Sequence, residues 1–163
     1  MTIEWTSDLS VGIPELDLQH QQLYGLAGRL HDAMRAGDRA AVPGIVACLH
    51  ELAEAHFACE ERWMADLRYP GLRDHRVAHE SFTADLACIE RALADRIRPS
   101  VMIDLAHFLG RWMREHLRGA DLPFGRWAVL QPCFARRAAR PESTRASTAS
   151  AFEIRARCFT ASK

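Results

Sequence analysis

Residues 42–64 read VPGIVACLHELAEAHFACEERWM, and one stripe within them decides the fold. Val42, Ile45, Leu49, Leu52, His56, Cys59 and Trp63 recur at alternating steps of three and four. That alternation places them on one helical face, the seam by which helices pack at shallow crossing angles. One residue on the seam, His56, is not an ordinary member of an apolar core.

The pattern continues on both sides. Upstream, Leu23, Ala27, Leu30 and Met34 form a second stripe, and stepping back three residues from Leu23 reaches His20. Downstream come Leu72, His75, His79, Phe82, Leu86, Ile89 and Leu93, then Met102, Leu105, Leu109, Trp112 and His116. Breakers separate the four segments: Gly37 and Asp38, Tyr69 to Gly71, Pro99 and Ser100, with Gly119 and Pro123 closing the last. Gly12 and Pro14 lie in an arm ahead of the first. Four helical segments joined by short loops predict an all-α, up-down-up-down four-helix bundle with an N-terminal arm.

The 163 residues, 48% hydrophobic, suffice for one domain with a sizeable core. The net charge of zero hides a split: residues 1–125 hold 13 basic and 19 acidic side chains, residues 126–163 hold 8 and 2. The bundle is therefore assigned to 1–125, and 126–163 to an irregular basic tail whose Arg-, Ala- and Ser-rich middle reads as disordered. The tail could meet an anionic surface or a protein partner of unknown kind. Nothing in the overall charge argues for nucleic acid, and no apolar run approaches the ~18 residues of a membrane span. The start, MTIEWTSD, lacks the basic and apolar regions of a secretory signal. The five cysteines form no C-x-x-C pair and no even-numbered framework, so a reducing cytoplasm is the expected compartment.

Every seam carries histidine. One buried histidine needs only one hydrogen-bond partner. Five on the inner faces of one small bundle would leave many polar atoms unpaired, at about 1–3 kcal/mol each, because the helix backbones are already satisfied. A shared metal removes that difficulty. His31, His50 and His107 stand off the stripes and are read as surface or boundary residues.

Spacing extends the donor set. His56 and Glu60 are four apart, as are His75 and His79, which puts each pair about 6 Å apart along one helical face. His116 and Asp121 are five apart, about 140° around an ideal helix. Asp121 is then expected to turn inward only if the helix ends first, at Gly119. The zinc-protease pattern fails because position 54 is glutamate, and no Glu-x-x-His of the ferritin-like di-iron type occurs. One structural zinc needs four ligands. Seven donors (His20, His56, Glu60, His75, His79, His116 and Asp121) suit two metals instead. Five nitrogens, four carboxylate oxygens and one bridging solvent oxygen fill eleven of about twelve octahedral positions, leaving one for a small diatomic ligand. Imidazole with few carboxylates suits iron, copper or zinc.

These residues resemble the hemerythrin family, in particular its bacterial members, over roughly residues 3–125. The resemblance rests on IEWTSDLSVGIPELDLQH, HFACEERWM, YPGLRDHRVAHESF and HFLGRWMREHLRGADLPFG. It implies two iron ions with a bridging oxo or hydroxo group. His75, His79 and His116 would hold one, and His20 and His56 the other, which keeps the open position. Glu60 and Asp121 would bridge them. It further implies a dioxygen pocket lined by Leu23, Phe57, Trp112, Met113 and Leu117. Met113 departs from the leucine usual in the family, and the tail extends past the usual end of the domain. The implied function is reversible dioxygen binding for transport, storage or delivery, without enzymatic turnover. The alternatives are an oxygen or redox sensor, for which only the tail could carry the signal, and a di-iron enzyme reducing nitric oxide or peroxide. The enzyme would need an acid near the open iron, and Glu61, the one candidate beside Glu60, is expected to point outward.

Overall fold

The computed structural model describes residues 4–95 and 98–138. Four long helices make the bundle: α1 (Pro14–Ala36), α2 (Val42–Leu67), α3 (Leu72–Asp95) and α4 (Pro99–His116). Each packs on its neighbour in sequence, and α4 closes the ring against α1. The short connections make neighbours antiparallel. Pro14 and Pro99 begin their helices at a position where the missing N–H costs nothing. At the other end of α1, Gly37 takes φ 73°, and Asp38 N–H reaches back to Ala33 C=O at 2.9 Å, closing the last turn. α2 ends the same way on Arg68, with φ 57°.

Leu26, Leu30, Leu49, Leu52, Leu86 and Leu105 are all fully buried and fill the half of the bundle near the α1–α2 and α3–α4 connections. The other half holds the polar cluster described below. It lies near the starts of α1 and α3 and the ends of α2 and α4, which antiparallel packing brings to one end.

The expected helix end at Gly119 does not occur. Residues Leu117–Asp121 form a π turn in which Leu122 N–H bonds to Leu117 C=O, and α5 (Leu122–Ala128) continues the rod. A π turn closes from i to i+5, so residues five apart stand above one another. His116 and Asp121 thus share a face without a helix end. The hydrogen bond that Pro123 cannot donate falls where the ladder already changes register.

The N-terminal arm locks this rod in place. Leu9, Val11 and Ile13 are buried in the common core, and Asp17 accepts hydrogen bonds from Ser10 Oγ and Val11 N–H, both at 2.7 Å. Val11 crosses α5 at Gly125, where a Cβ would stand 2.2 Å from the Val11 carbonyl oxygen. Only glycine allows that crossing.

The tail expected from residue 126 begins as ordered structure. Residues 126–128 complete α5, and α6 (Phe134–Ala138) packs back on α2: Phe134 faces Trp63, while the Arg137 guanidinium lies 3.9 Å over the Trp63 ring and 2.6 Å from Asp66. The composition break at 126 marks a change of charge, and the fold runs on through it. The Arg-, Ser- and Thr-rich stretch from 139 onward lies outside the described residues. Among the described residues no helix is long and apolar enough to cross a membrane.

Candidate metal centre

Seven side chains from all four long helices and the π turn converge in one buried cluster: His20, His56, Glu60, His75, His79, His116 and Asp121. They are the seven that the spacing singles out. Glu60 is 0% exposed.

The cluster divides into two groups, each able to surround one ion. Glu60, His75, His79 and His116 form the first; His20, His56, Glu60 and Asp121 form the second. In the first, His116 Nε2 lies 3.2 Å from His75 Nε2 and 3.1 Å from His79 Nε2. Glu60 Oε2 lies 3.0 Å from His75 Nε2 and 3.5 Å from that of His79. In the second, the same Glu60 oxygen is 3.7 Å from His56 Nε2. Asp121 spans both: Oδ1 is 3.0 Å from His116 Nε2, and Oδ2 is 3.4 Å from His20 Nε2. Neighbouring donors around an octahedral ion with bonds of about 2.1 Å stand about 3 Å apart, and the first group has that spacing.

Hydrogen bonds alone do not satisfy this arrangement. Nitrogen faces nitrogen across His75, His79 and His116, and Glu60 Oε1 and His20 Nε2 are buried with no hydrogen-bond partner. Burial pushes His56, His75 and His79 below the ordinary imidazole range, so their rings are neutral. Burial, and then the Asp121 charge, holds the Glu60 carboxyl well above its usual range. Burial also works against ionising Asp121, but the opposed charges and hydrogen bonds of His116 and His20 outweigh it and hold that carboxyl well below normal. Lone pairs from five imidazoles and two carboxyls, one reluctant to ionise alone, make a donor set that cations complete. The residues present therefore fit a two-metal centre.

Aromatic rings back the imidazoles. Phe57 stacks on His79 with centroids 3.8 Å apart, and Trp112 stacks on His116 at 4.2 Å. The two aromatics meet each other at 5.6 Å. Leu23, Met113 and Leu117 are buried in the common core, and Trp112 is partly buried against it.

Sequence reasoning missed the groups that orient the ligands. Gln19 Oε1 lies 3.0 Å from His56 Nδ1, so the ring donates its Nδ1–H there and presents a bare Nε2 inward. Glu61 does not point freely outward: Oε1 accepts from His79 Nδ1 at 3.0 Å, and Oε2 accepts from Arg76 Nε at 2.9 Å. A cavity of about 520 Å³ opens between α2 and α3 beside this pair, floored by Phe57, Ala58 and Ala84. The one signal for Gln19 is its place before His20 on a helix that buries both; Glu61 and Arg76 are 15 residues apart and leave no local trace. His50, left out of the donor set, bonds Glu90 at 2.7 Å where α2 meets α3, away from the centre.

A helical bundle with a paired, histidine-rich metal centre defines a narrow class of protein. The family model described as "Hemerythrin HHE cation binding domain" matches residues 11–128, and this chain belongs to the hemerythrin family, the class with a non-haem iron centre that binds oxygen. It is 32% identical to a bacteriohemerythrin of Stenotrophomonas maltophilia over 117 residues, 72% of this chain and 75% of that one. A bacteriohemerythrin of Pseudomonas aeruginosa is 33% identical over 121 residues, with the same coverage. A myohemerythrin of Riftia pachyptila is 28% identical over 120 residues, 74% of this chain and 88% of that one.

Proposed function

We propose that the centre holds two iron ions bridged by an oxo or hydroxo group, and that the protein binds dioxygen reversibly as a carrier or store. The observation that carries this reading is the uneven division of the donors. One group brings three histidines and the other two, while both draw on Glu60. With Asp121 shared as well, one position has fewer protein ligands and can admit a small diatomic molecule. When bound, a ferrous pair supplies the two electrons that dioxygen draws on and returns.

The chain's own residues set the conditions for reversibility. Phe57 and Trp112 cover the imidazoles of His79 and His116, and with the buried Leu23, Met113 and Leu117 they form the apolar surround that keeps water out. Gln19 and Glu61 hold two ligand rings in fixed tautomers, so dioxygen meets a site that does not reorganise. Glu61, the acid nearest the centre outside the donor set, is engaged on the outer edge of His79 and cannot deliver a proton to the open position. This favours binding over turnover of nitric oxide or peroxide. A cytoplasmic carrier or store needs nothing more from the bundle.

The test is to load the chain with ferrous iron without air, count iron per chain, admit air and flush with argon. Two irons per chain and a coloured adduct that disappears on flushing are expected. Irreversible oxidation, with turnover on added nitric oxide or peroxide, would replace the carrier with an enzyme. A chain that takes up no iron, or a single zinc, would remove the two-metal reading.

A further inference from the structure

The two metal positions differ in more than histidine count; the groups standing behind the histidines differ in charge. Behind His79, in the three-histidine group, Glu61 Oε1 sits 3.0 Å from Nδ1. Its other oxygen is held by Arg76 Nε at 2.9 Å. Behind His56, in the two-histidine group, the partner at the same 3.0 Å is the neutral amide of Gln19. His20 has no hydrogen-bond partner at Nδ1.

Burial explains which partner is charged. Gln19 is 2% exposed, where an anion would lose its hydration, whereas the Glu61 side chain is 23% exposed at the α2–α3 cavity and already paired with a guanidinium. An anion on Nδ1–H raises the electron density at Nε2, and a neutral amide does so far less. Phe57, stacked on the His79 ring at 3.8 Å, fixes the plane in which Nδ1 meets Glu61.

We infer that Glu61 and Gln19 make the two metal positions unequal from outside the ligand set. Glu61 is a positioning residue that strengthens and aims His79 for the three-histidine position, and Gln19 fixes the tautomer of His56 without adding charge. The three-histidine position then binds its ion more tightly and more strongly favours the oxidised state. The inference rests on the two-metal reading above and deepens it.

The experiment titrates the full chain with cobalt(II) in competition with a coloured chelator, resolving two binding steps. A second measurement takes the midpoint potential of the iron-loaded protein. Glu61→Gln keeps the shape and an acceptor but loses the charge. It is expected to weaken the tighter step by about ten- to a hundredfold, to leave the weaker step in place, and to raise the midpoint potential. Arg76→Ala separates charge from structure. It breaks the same α2–α3 tie but leaves the carboxylate on His79, so the potential is expected to stay or fall. If Glu61 only staples the helices, the two variants will behave alike, and the inference is wrong. It is equally wrong if Glu61→Gln moves both steps together or leaves the potential where it was. A parent chain that takes up no metal would overturn this inference together with the reading beneath it, whereas a parent with two steps and an indifferent Glu61→Gln would overturn the inference alone.

Discussion

Gly125→Ala adds one methyl group, and the structure says where the strain goes. The new Cβ would lie 2.2 Å from the Val11 carbonyl oxygen and 2.9 Å from both its carbonyl carbon and its Cβ. Non-bonded heavy atoms settle at about 3.5 Å, so the arm must retreat by about 1 Å. It is not free to do so, because Val11 N–H is bonded to Asp17 at 2.7 Å and Ile13 is fully buried two residues on. Releasing the arm entirely would expose Leu9, Val11 and Ile13, at about 1.5–3 kcal/mol each. Overpacking with local adjustment costs about 1–3 kcal/mol, and the protein takes that cheaper route. The expected loss is about 2–3 kcal/mol, or a melting temperature lower by roughly 5–10 °C in a domain of this size. Gly44→Ala serves as the control: the site is in α2, a Cβ there meets nothing within 4 Å, and the change should stabilise by about 0.5–1 kcal/mol. Thermal melts of both variants, followed by circular dichroism, read the difference directly. Gly125 lies one helical turn beyond Asp121, so the same variant should also release metal sooner to a chelator. A Gly125→Ala protein that melts with the parent, or above it, would show that the arm is not clamped across α5.

Further predictions follow from the centre. Stripping metal leaves Glu60 Oε1 and His20 Nε2 buried and unpaired, each at about 1–3 kcal/mol, so the metal-free chain should melt well below the loaded one in calorimetry; equal melting temperatures would deny the centre any structural role. The pH dependence of the metal-free chain has a definite sign. His56, His75 and His79 titrate lower folded than unfolded, so the unfolded chain takes up more protons below about pH 6.5, and stability falls there by about 1.4 kcal/mol per pH unit per ring. Glu60 titrates higher folded than unfolded, so its contribution falls as pH rises above the ordinary carboxyl range. With three rings set against one carboxyl, denaturant melts should show stability rising from pH 5 toward the ordinary imidazole value, and a flat profile would contradict the burial of these rings. Phe57→Ala removes the ring stacked on His79 and should destabilise by about 3–5 kcal/mol, while hastening irreversible oxidation of the iron-loaded protein in stopped-flow traces.

The four seams were legible because helical periodicity is local: a step of three or four residues has one meaning wherever it occurs. The histidines were legible as polar residues on apolar stripes, and Glu60 was legible from its spacing to His56. The rod from α4 into α5 was not. Gly119 and Pro123 together read as a stop, since each weakens an α-helix. Two long-range facts carry the helix past them. Asp121 is held between His116 and His20, and the arm presses on Gly125 from more than a hundred residues away. The extra residue in HLRGAD, which local spacing reads as a helix end, is absorbed as a π turn. That keeps Phe124 and Ala128 in the core, where a true end would have released them.

Glu61 shows the same limit from the other side. Successive residues on a helix are 100° apart, so with Glu60 facing the bundle axis its neighbour cannot. Taking "not inward" to mean "outward" treats α2 as though it had two sides. In a bundle each helix also has two flanks, and the α3 flank is where Glu61 lies. There His79 presents the ring nitrogen that its metal-facing partner leaves free, and Arg76 closes over the second oxygen. One step of helical phase thus separates a ligand from the residue behind a ligand. The donor set can be read one helix at a time, but its support becomes visible only once two helices are placed side by side.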